Sequence, residues 1–153
     1  MPSPDWRSDM TIEENSILAP IGEKEARLKN PLILAYVGDT VYDMYVRTCL
    51  VKSFRYPVNI INKKASHIVN AGSQSEALEI IKDILTEDEA YIVKRGRNSS
   101  PQTTAKNSSR ADYLRATGIE ALFGYLFLSG EYDRIEYLMD IILKKMVDAD
   151  EKQ

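Results

Sequence analysis

The chain has 153 residues, of which 44% are hydrophobic and 28% are charged, and its formal net charge is −3. These values suit one soluble globular domain and argue against a disordered chain or a strongly basic nucleic-acid-binding protein. The single cysteine, Cys49, cannot form an internal disulfide, which favours a reducing cytoplasm. The single histidine, His67, leaves no Cys/His cluster for zinc. No apolar run is long enough to span a bilayer, and residues 1–16 lack the apolar core of a signal peptide, so no membrane association is expected.

The apolar spacing in the first half of the chain predicts helices. Residues 1–28 are mostly polar and acidic, and we expect a flexible tail with at most one short helix. Pro31 suits the first turn of a helix capped by Asn30, and the apolar pattern continues to about Lys52. Helical spacing resumes after Pro57, and a break is predicted at Gly72-Ser73.

The second half of the chain predicts three more helices and one long loop. Thr86 and Glu89 form a capping box that begins a helix ending near Arg95. Residues 96–109 are polar and contain Gly and Pro, so they predict a loop. Helices at 111–128 and 132–147 follow, separated by a predicted stop at Ser129-Gly130. No period-2 pattern indicates a strand. The sequence therefore predicts an all-α fold, with a tail at 1–28, one domain at 29–148 and a C-terminal tail at 149–153.

Two isolated carboxylates stand out among apolar residues. Asp39 is the only charged residue in LAYVGDTVY, and Glu120 is the only charged residue in ATGIEALFGYLFL. A buried carboxylate is costly unless it is paired or binds a cation, and Mg²⁺ typically takes one or two carboxylates and keeps several waters. The alternative, which the spacing alone favours, is that each acid lies on a narrow solvent-facing stripe; Asp39, Asp43 and Arg47 follow such a spacing.

Basic residues are concentrated in one segment. Residues 94–115 contain six Lys or Arg residues and one acid, within a stretch rich in Gly, Ser, Asn and Thr. Such a segment can donate hydrogen bonds to phosphates, although an ordinary solvated loop remains an equal alternative. His67 is expected to be a surface residue rather than a catalytic base. The residues predicted to contact the phosphates of a polyanion are Lys63, Lys64, Lys94, Arg95, Arg97, Lys106 and Arg110.

Two segments together resemble the catalytic domain of the ribonuclease III family. The segment VGDTV at residues 37–41 resembles the first signature helix of that domain, and IEALFGYLFL at 119–128 resembles the second, which carries a metal-binding glutamate. The resemblance is strongest to the Mini-III branch, through LAYVGDTVYDMYVR, KKASHIVNAGSQSEAL, KRGRN and GIEALFGYLFL, and it covers residues 30–145.

The resemblance implies a homodimeric, all-helical endonuclease that cuts double-stranded RNA with Mg²⁺, for which Mn²⁺ can substitute. Asp39 and Glu120 would be the catalytic and metal-binding residues. The family role of the Mini-III branch makes precursor 23S ribosomal RNA the expected substrate, and a ribosomal-protein cofactor is left open. Since no separate double-stranded RNA-binding domain follows in this sequence, the nuclease domain itself would grip the RNA by its shape and phosphates.

The sequence departs from the broader family at three positions. Ala35 and Leu32 stand where classical members carry additional glutamates, and Thr117 replaces an aspartate three residues before Glu120. These replacements favour one well-occupied Mg²⁺ over two, with Thr117 as a candidate for positioning a metal-bound water. Mini-III members share this thinner acidic pattern, so activity is still expected.

Other readings remain open from the sequence. One alternative function is a non-catalytic module that binds structured RNA within a ribosomal particle; another is a small-nucleotide phosphohydrolase, which a single histidine disfavours. The helix at 31–52 is the predicted dimer interface, with Tyr36, Tyr42 and Tyr45 as candidate contacts. Core packing is an equal alternative for each tyrosine.

Overall fold

The computed structural model describes residue 8, residues 17–99 and residues 109–151, with side chains as far as residue 148. Within these ranges the helices are α1 (Glu23–Leu28), α2 (Pro31–Ser53), α3 (Val58–Val69), α4 (Ala71–Ile81), α5 (Glu87–Asn98), α6 (Arg110–Ser129) and α7 (Tyr132–Glu151). A 3₁₀ turn, Lys82–Ile84, follows α4. The described residues contain no strand, which confirms the all-α prediction. None of their helices is both long enough and apolar enough to cross a membrane.

Helix α2 begins as the sequence predicts, whereas the break before α4 does not. The Asn30 side chain accepts a hydrogen bond from the Leu32 amide at 2.8 Å, and Pro31 occupies the first helical position. The predicted break at Gly72-Ser73 is wrong, because α3 gives way to α4 at Asn70. The Asn70 side chain accepts from the Ser73 amide at 2.9 Å and donates to the Ser66 carbonyl at 3.1 Å, so one residue caps both helices.

Helix α5 has the predicted beginning and a later end. Thr86 and Glu89 form the capping box, and Arg134 of α7 donates two hydrogen bonds of 2.8 Å to the buried Glu89 carboxylate. The helix runs to Asn98, three residues beyond the predicted end. Within this extension Gly96 packs closely against α6, where a β-carbon on Gly96 would lie 2.9 Å from that of Ala121. Residues 100–108 of the predicted loop lie outside the described ranges.

Helix α6 is the central element of the bundle. Ile119, Leu122 and Phe123 are fully buried in it, and α2, α4 and α5 all pack around it. It ends at Gly130, whose φ of +80° forms a left-handed cap, so the predicted stop at Ser129-Gly130 is confirmed. A helix this enclosed fixes the position of any side chain that projects from it toward its neighbours.

The predicted N-terminal tail includes a packed segment. Ala26 of α1 is fully buried, and the Tyr125 hydroxyl donates to the Glu23 carboxylate at 2.9 Å. The Ile21 amide donates to the Leu128 carbonyl at 2.9 Å, which ties the chain before α1 to the end of α6. Residues 21–28 therefore belong to the folded body. Residues 1–7 and 9–16 lie outside the described ranges.

Candidate active site

The site is built where α2 and α6 cross in direct backbone contact. A β-carbon on Gly38 would lie 1.6 Å from the Glu120 carbonyl oxygen, and one on Gly124 would lie 1.9 Å from the Leu34 carbonyl oxygen. No side chain fits at either position, so the two glycines allow the helices to approach this closely. Asp39 follows the first glycine and Glu120 lies one turn before the second, so the crossing brings the two acids together.

Asp39 and Glu120 form a carboxylate pair. Asp39 is exposed to solvent, whereas Glu120 is only partly accessible. Burial first, then the charge of Asp39 and a hydrogen bond with Asp39, together raise the pKa of the Glu120 carboxyl to about 8. A carboxyl in this position keeps its proton near neutral pH unless a bound cation replaces the proton. The pair is thus an unfavourable arrangement by itself and a suitable one for a cation.

Asp39 and Asp43 are both accessible on α2, as the solvent-stripe alternative states, but the two acids meet different partners. The Arg47 guanidinium donates to the Asp43 carboxylate at 2.9 Å and to the Asn62 side chain at 3.2 Å, so these residues form an ordinary surface ion pair between α2 and α3. One turn earlier, Asp39 faces the Glu120 carboxyl instead of a basic group. The two acids predicted from the sequence are therefore brought together by the fold.

The site also contains residues that the sequence did not indicate. Tyr42, one turn after Asp39, is fully buried, and its ring meets Phe123 edge-on at 5.4 Å between centroids. Burial raises the pKa of its hydroxyl, as do the nearby charges of Glu120 and Glu76, the latter from α4. The Tyr42 hydroxyl has no hydrogen-bond partner among the described residues. A tyrosine within an apolar run does not indicate in the sequence that it lies beside the carboxylate pair. The packing of the neighbouring helices shows it.

Thr117 lies one turn before Glu120 on α6. It is buried, and its hydroxyl donates to the Tyr113 carbonyl at 3.0 Å, so the hydroxyl proton is used within the helix. The oxygen lone pairs remain as acceptors. A role for Thr117 in positioning a metal-bound water stays a prediction.

The donor set fits Mg²⁺ or Mn²⁺ bound mostly by water. The described residues contain no group of three or more His, Cys, Asp or Glu side chains that could hold a metal ion. Two carboxylates, one open to solvent and one held protonated by its surroundings, match the few protein ligands that Mg²⁺ requires. Asp39 and Glu120 are the residues that could hold such an ion.

The predicted RNA-binding residues fall into two groups in the structure. Lys94, Arg95 and Arg97 lie in the last turns of α5, beside α6, whereas Lys63 and Lys64 lie on α3. Arg110 is exposed at the beginning of α6, and Lys106 lies outside the described ranges. His67 is exposed on α3.

Arg95 has a structural partner. Its guanidinium donates to the Arg27 carbonyl at 2.7 Å and stacks over the Tyr91 ring at 5.7 Å from the centroid, so it joins α5 to α1. Lys64 similarly lies over the rings of Phe54 and Tyr56. RNA contacts by either residue stay predictions.

Comparison with known proteins decides the family. Residues 32–131 match the ribonuclease III domain. A Mini-ribonuclease 3 from Thermoanaerobacter sp. (strain X514) is 43% identical over 112 residues, which are 73% of this chain and 79% of that protein. The chain belongs to the ribonuclease III family. A Mini-ribonuclease 3 from Clostridium tetani (strain Massachusetts / E88) is 37% identical over 132 residues, 86% of this chain and 87% of that one.

A solved structure shares the fold of this ribonuclease III domain. The crystal structure of protein FN1578 from Fusobacterium nucleatum aligns with a TM-score of 0.72 and 28% identity, covering 78% of this chain and 96% of that chain. The resemblance to the Mini-III branch is confirmed, and the protein is an endoribonuclease of the Mini-III type. The carboxylate pair at the crossing of α2 and α6 lies within the matched domain.

Proposed function

We propose that this endoribonuclease cuts double-stranded RNA as a homodimer that depends on Mg²⁺, with precursor 23S ribosomal RNA as its substrate. The observation that carries the proposal is the pairing of Asp39 with Glu120. Among the described residues the two acids have no basic partner, and the contact between Gly38 and Glu120 forces them together. A fold that holds two carboxylates in this way incurs an electrostatic cost, and binding a divalent ion would offset it.

Asp39 and Glu120 would hold the divalent ion together. When bound, the ion supplies an activated water and stabilises the charge that develops on the phosphodiester. The chain's own contribution is positional. Asp39 is open to solvent and accessible to an RNA strand, while Glu120 is held by the buried helix α6. The partial burial of Glu120 lowers the local dielectric, which strengthens its interaction with a cation.

The exposed face of α2 supports the homodimer. Ile33, Tyr36 and Met44 are 54%, 80% and 52% exposed, and their spacing places them along one side of the helix. Asp39 lies between Tyr36 and Met44 on the same helix, so an interface here would place the two sites near each other. Two sites related by a twofold axis could each cut one strand. Tyr42, proposed from the sequence as a contact, is instead buried within the protomer.

Duplex RNA is the substrate that suits the arrangement of charge. The basic last turns of α5 lie beside α6, the helix that carries Glu120, so phosphates near the carboxylate pair could reach them. A-form RNA is recognised mainly through its phosphates and 2′-hydroxyls, which requires cations and hydrogen-bond donors rather than base-reading side chains. The choice of precursor 23S ribosomal RNA comes from the family resemblance. A cytoplasmic location is proposed because the single cysteine suits a reducing compartment.

The test is a cleavage assay with purified full-length protein. Long double-stranded RNA should be cut in the presence of Mg²⁺ or Mn²⁺ and remain intact with EDTA, and single-stranded RNA of the same sequence should be cut much more slowly. Precursor 23S ribosomal RNA, with its flanking stem, should give discrete products. Cleavage that persists in EDTA would refute the metal dependence, and equal cutting of both RNA forms would refute the duplex preference.

A further inference from the structure

A cleft of about 570 Å³ opens between α4, the 3₁₀ turn, α5 and α6. Four cationic side chains line it, against one carboxylate. The cations are Lys82, Lys94, Arg97 and Arg115, and the carboxylate is Glu79. Leu78, Leu85 and Val93 supply its apolar surface. The excess of positive charge makes the cleft a receptor for an anion.

Glu79 engages two of the four cations. Its carboxylate lies 2.5 Å from the Lys82 ammonium and 2.7 Å from the Arg115 guanidinium. These hydrogen bonds, from Lys82 first and then Arg115, hold the pKa of Glu79 below its usual range. All three side chains are partly accessible, and ion pairs open to water contribute little net stability. A stronger or more highly charged anion could therefore displace Glu79.

Lys94 and Arg97 are available to the same anion. Within the described part of the chain, neither forms an ion pair, so their charges are not offset. The Arg97 stem lies across α6, where a β-carbon on Gly118 would come within 2.9 Å of the Arg97 Cγ. The absence of a side chain at Gly118 thus lets Arg97 lie flat against the helix that carries Glu120.

The cleft is close to the carboxylate pair along the chain. Gly118 is two residues before Glu120 and Arg115 is five residues before it, which is about 7.5 Å along the axis of an α-helix. On α4, Glu76 acts on Tyr42 at the carboxylate pair, and Glu79, one turn later, lines the cleft. A polyanion that reaches the carboxylate pair could therefore also reach the cleft.

We propose that this cleft binds backbone phosphates of the RNA duplex beside the point of cleavage, and that Glu79 holds Lys82 and Arg115 in place until a phosphate replaces it. The inference rests on the proposed function and adds Lys82 and Arg115 to the RNA-binding surface. Arg115 is well suited to this exchange, because its planar guanidinium binds carboxylate and phosphate oxygens with the same geometry.

Binding in a metal-free, EDTA-containing buffer tests the proposal, because it measures affinity without cleavage. Glu79→Gln removes the competing carboxylate, so double-stranded RNA should bind about threefold to tenfold more tightly at low salt. Lys82→Gln combined with Arg115→Gln should weaken binding by about tenfold and reduce the slope of log affinity against log salt by about one to two.

Matched controls on α7 separate a site from bulk charge. Asp140 and Lys144 form an exposed ion pair at 2.8 Å, remote from the cleft in the chain. Asp140→Asn changes the net charge as Glu79→Gln does, and Lys144→Gln with Lys145→Gln matches the double cation variant. The proposal requires the control variants to change affinity by much less than the cleft variants. Equal effects at both places would overturn it, since only net charge would then matter.

A second arm distinguishes RNA phosphates from a free nucleotide or phosphate ion. NMR titration with adenosine monophosphate and with inorganic phosphate should give at most weak, millimolar binding. Micromolar binding of either compound, with RNA affinity unchanged in the cleft variants, would assign the cleft to a small ligand and overturn the proposal. If the cleft variants lose RNA binding while the cleavage assay shows no activity, the proposed function fails and the phosphate site survives.

Discussion

Gly38 of α2 touches the backbone of Glu120 in α6, and a β-carbon on Gly38 would stand 1.6 Å from the Glu120 carbonyl oxygen. This contact sets the distance between the two helices and therefore the distance between the carboxyl groups of Asp39 and Glu120. The geometry of the candidate active site consequently depends on a residue that has no side chain. Substitution at that residue tests packing and catalysis together.

Gly38→Ala should destabilise the protein by about 3 kcal/mol or more, because the helices must separate to admit the methyl group. Cleavage should fall in the fraction that still folds. Gly72→Ala is the matched control within α4, where the nearest atom to a new β-carbon is the Asn70 side-chain oxygen at 3.4 Å. This change should be neutral or stabilise by up to about 1 kcal/mol. Urea denaturation measures both, and equal stabilities would show that the helix crossing is less tight than described.

Asp39→Asn should reduce the cleavage rate by at least about 100-fold, because it removes a charge that would hold the metal. The melting temperature of the metal-free protein should stay the same or rise, since repulsion within the pair is relieved. Glu120→Gln should behave alike, and the double variant should be little worse than either single one, because both acids serve one ion.

Asp43→Asn is the control for that experiment, since it breaks the Asp43–Arg47 ion pair one turn further along α2. It should leave the cleavage rate nearly unchanged. An Asp39→Asn protein that melts early yet still cuts RNA would show that Asp39 is structural, and the catalytic assignment would be wrong.

The metal-free protein should lose stability as the pH rises from about 5 to 8. The folded state holds a proton on Glu120 up to a pKa of about 8, whereas the ordinary value is 4.5, so between these values the folded state binds more protons than the unfolded one. Stability then decreases with pH across that window. Thermal melts at several pH values, in EDTA, measure the decrease. Glu120→Gln should flatten it, and an identical pH dependence in that variant would assign the effect to other groups.

Tyr36→Glu should convert the protein from a dimer to a monomer, because it places a charge in the centre of the exposed apolar face of α2. Tyr137→Glu on α7 is the control, because Tyr137 is likewise an exposed tyrosine, at 52% against 80% for Tyr36, but lies on another helix. Sedimentation velocity at micromolar concentration distinguishes the two masses. A wild-type monomer, or a dimer unaffected by Tyr36→Glu, would place the interface elsewhere or remove it.

Local signals in the sequence determined the helices and the identity of the two acids. Asn30 with Pro31, Thr86 with Glu89, and Gly130 each form the cap or stop that their residue types predict, because capping depends on a few neighbouring backbone groups. The sequence pattern does not indicate the capping function of Asn70, and the predicted break lies two residues later, at Gly72.

Only the tertiary structure decided which partners those residues meet. Asp39 and Asp43 lie one turn apart on α2. Asp39 faces Glu120 and Asp43 pairs with Arg47, because α6 crosses α2 at Gly38. Arg95 and Arg97 are likewise two residues apart, but Arg95 binds the Arg27 carbonyl while Arg97 lines the cleft. Helical spacing determines on which face of its helix a side chain lies. The packing of a second helix determines which residues that face contacts, and the pattern of a single segment does not contain this information.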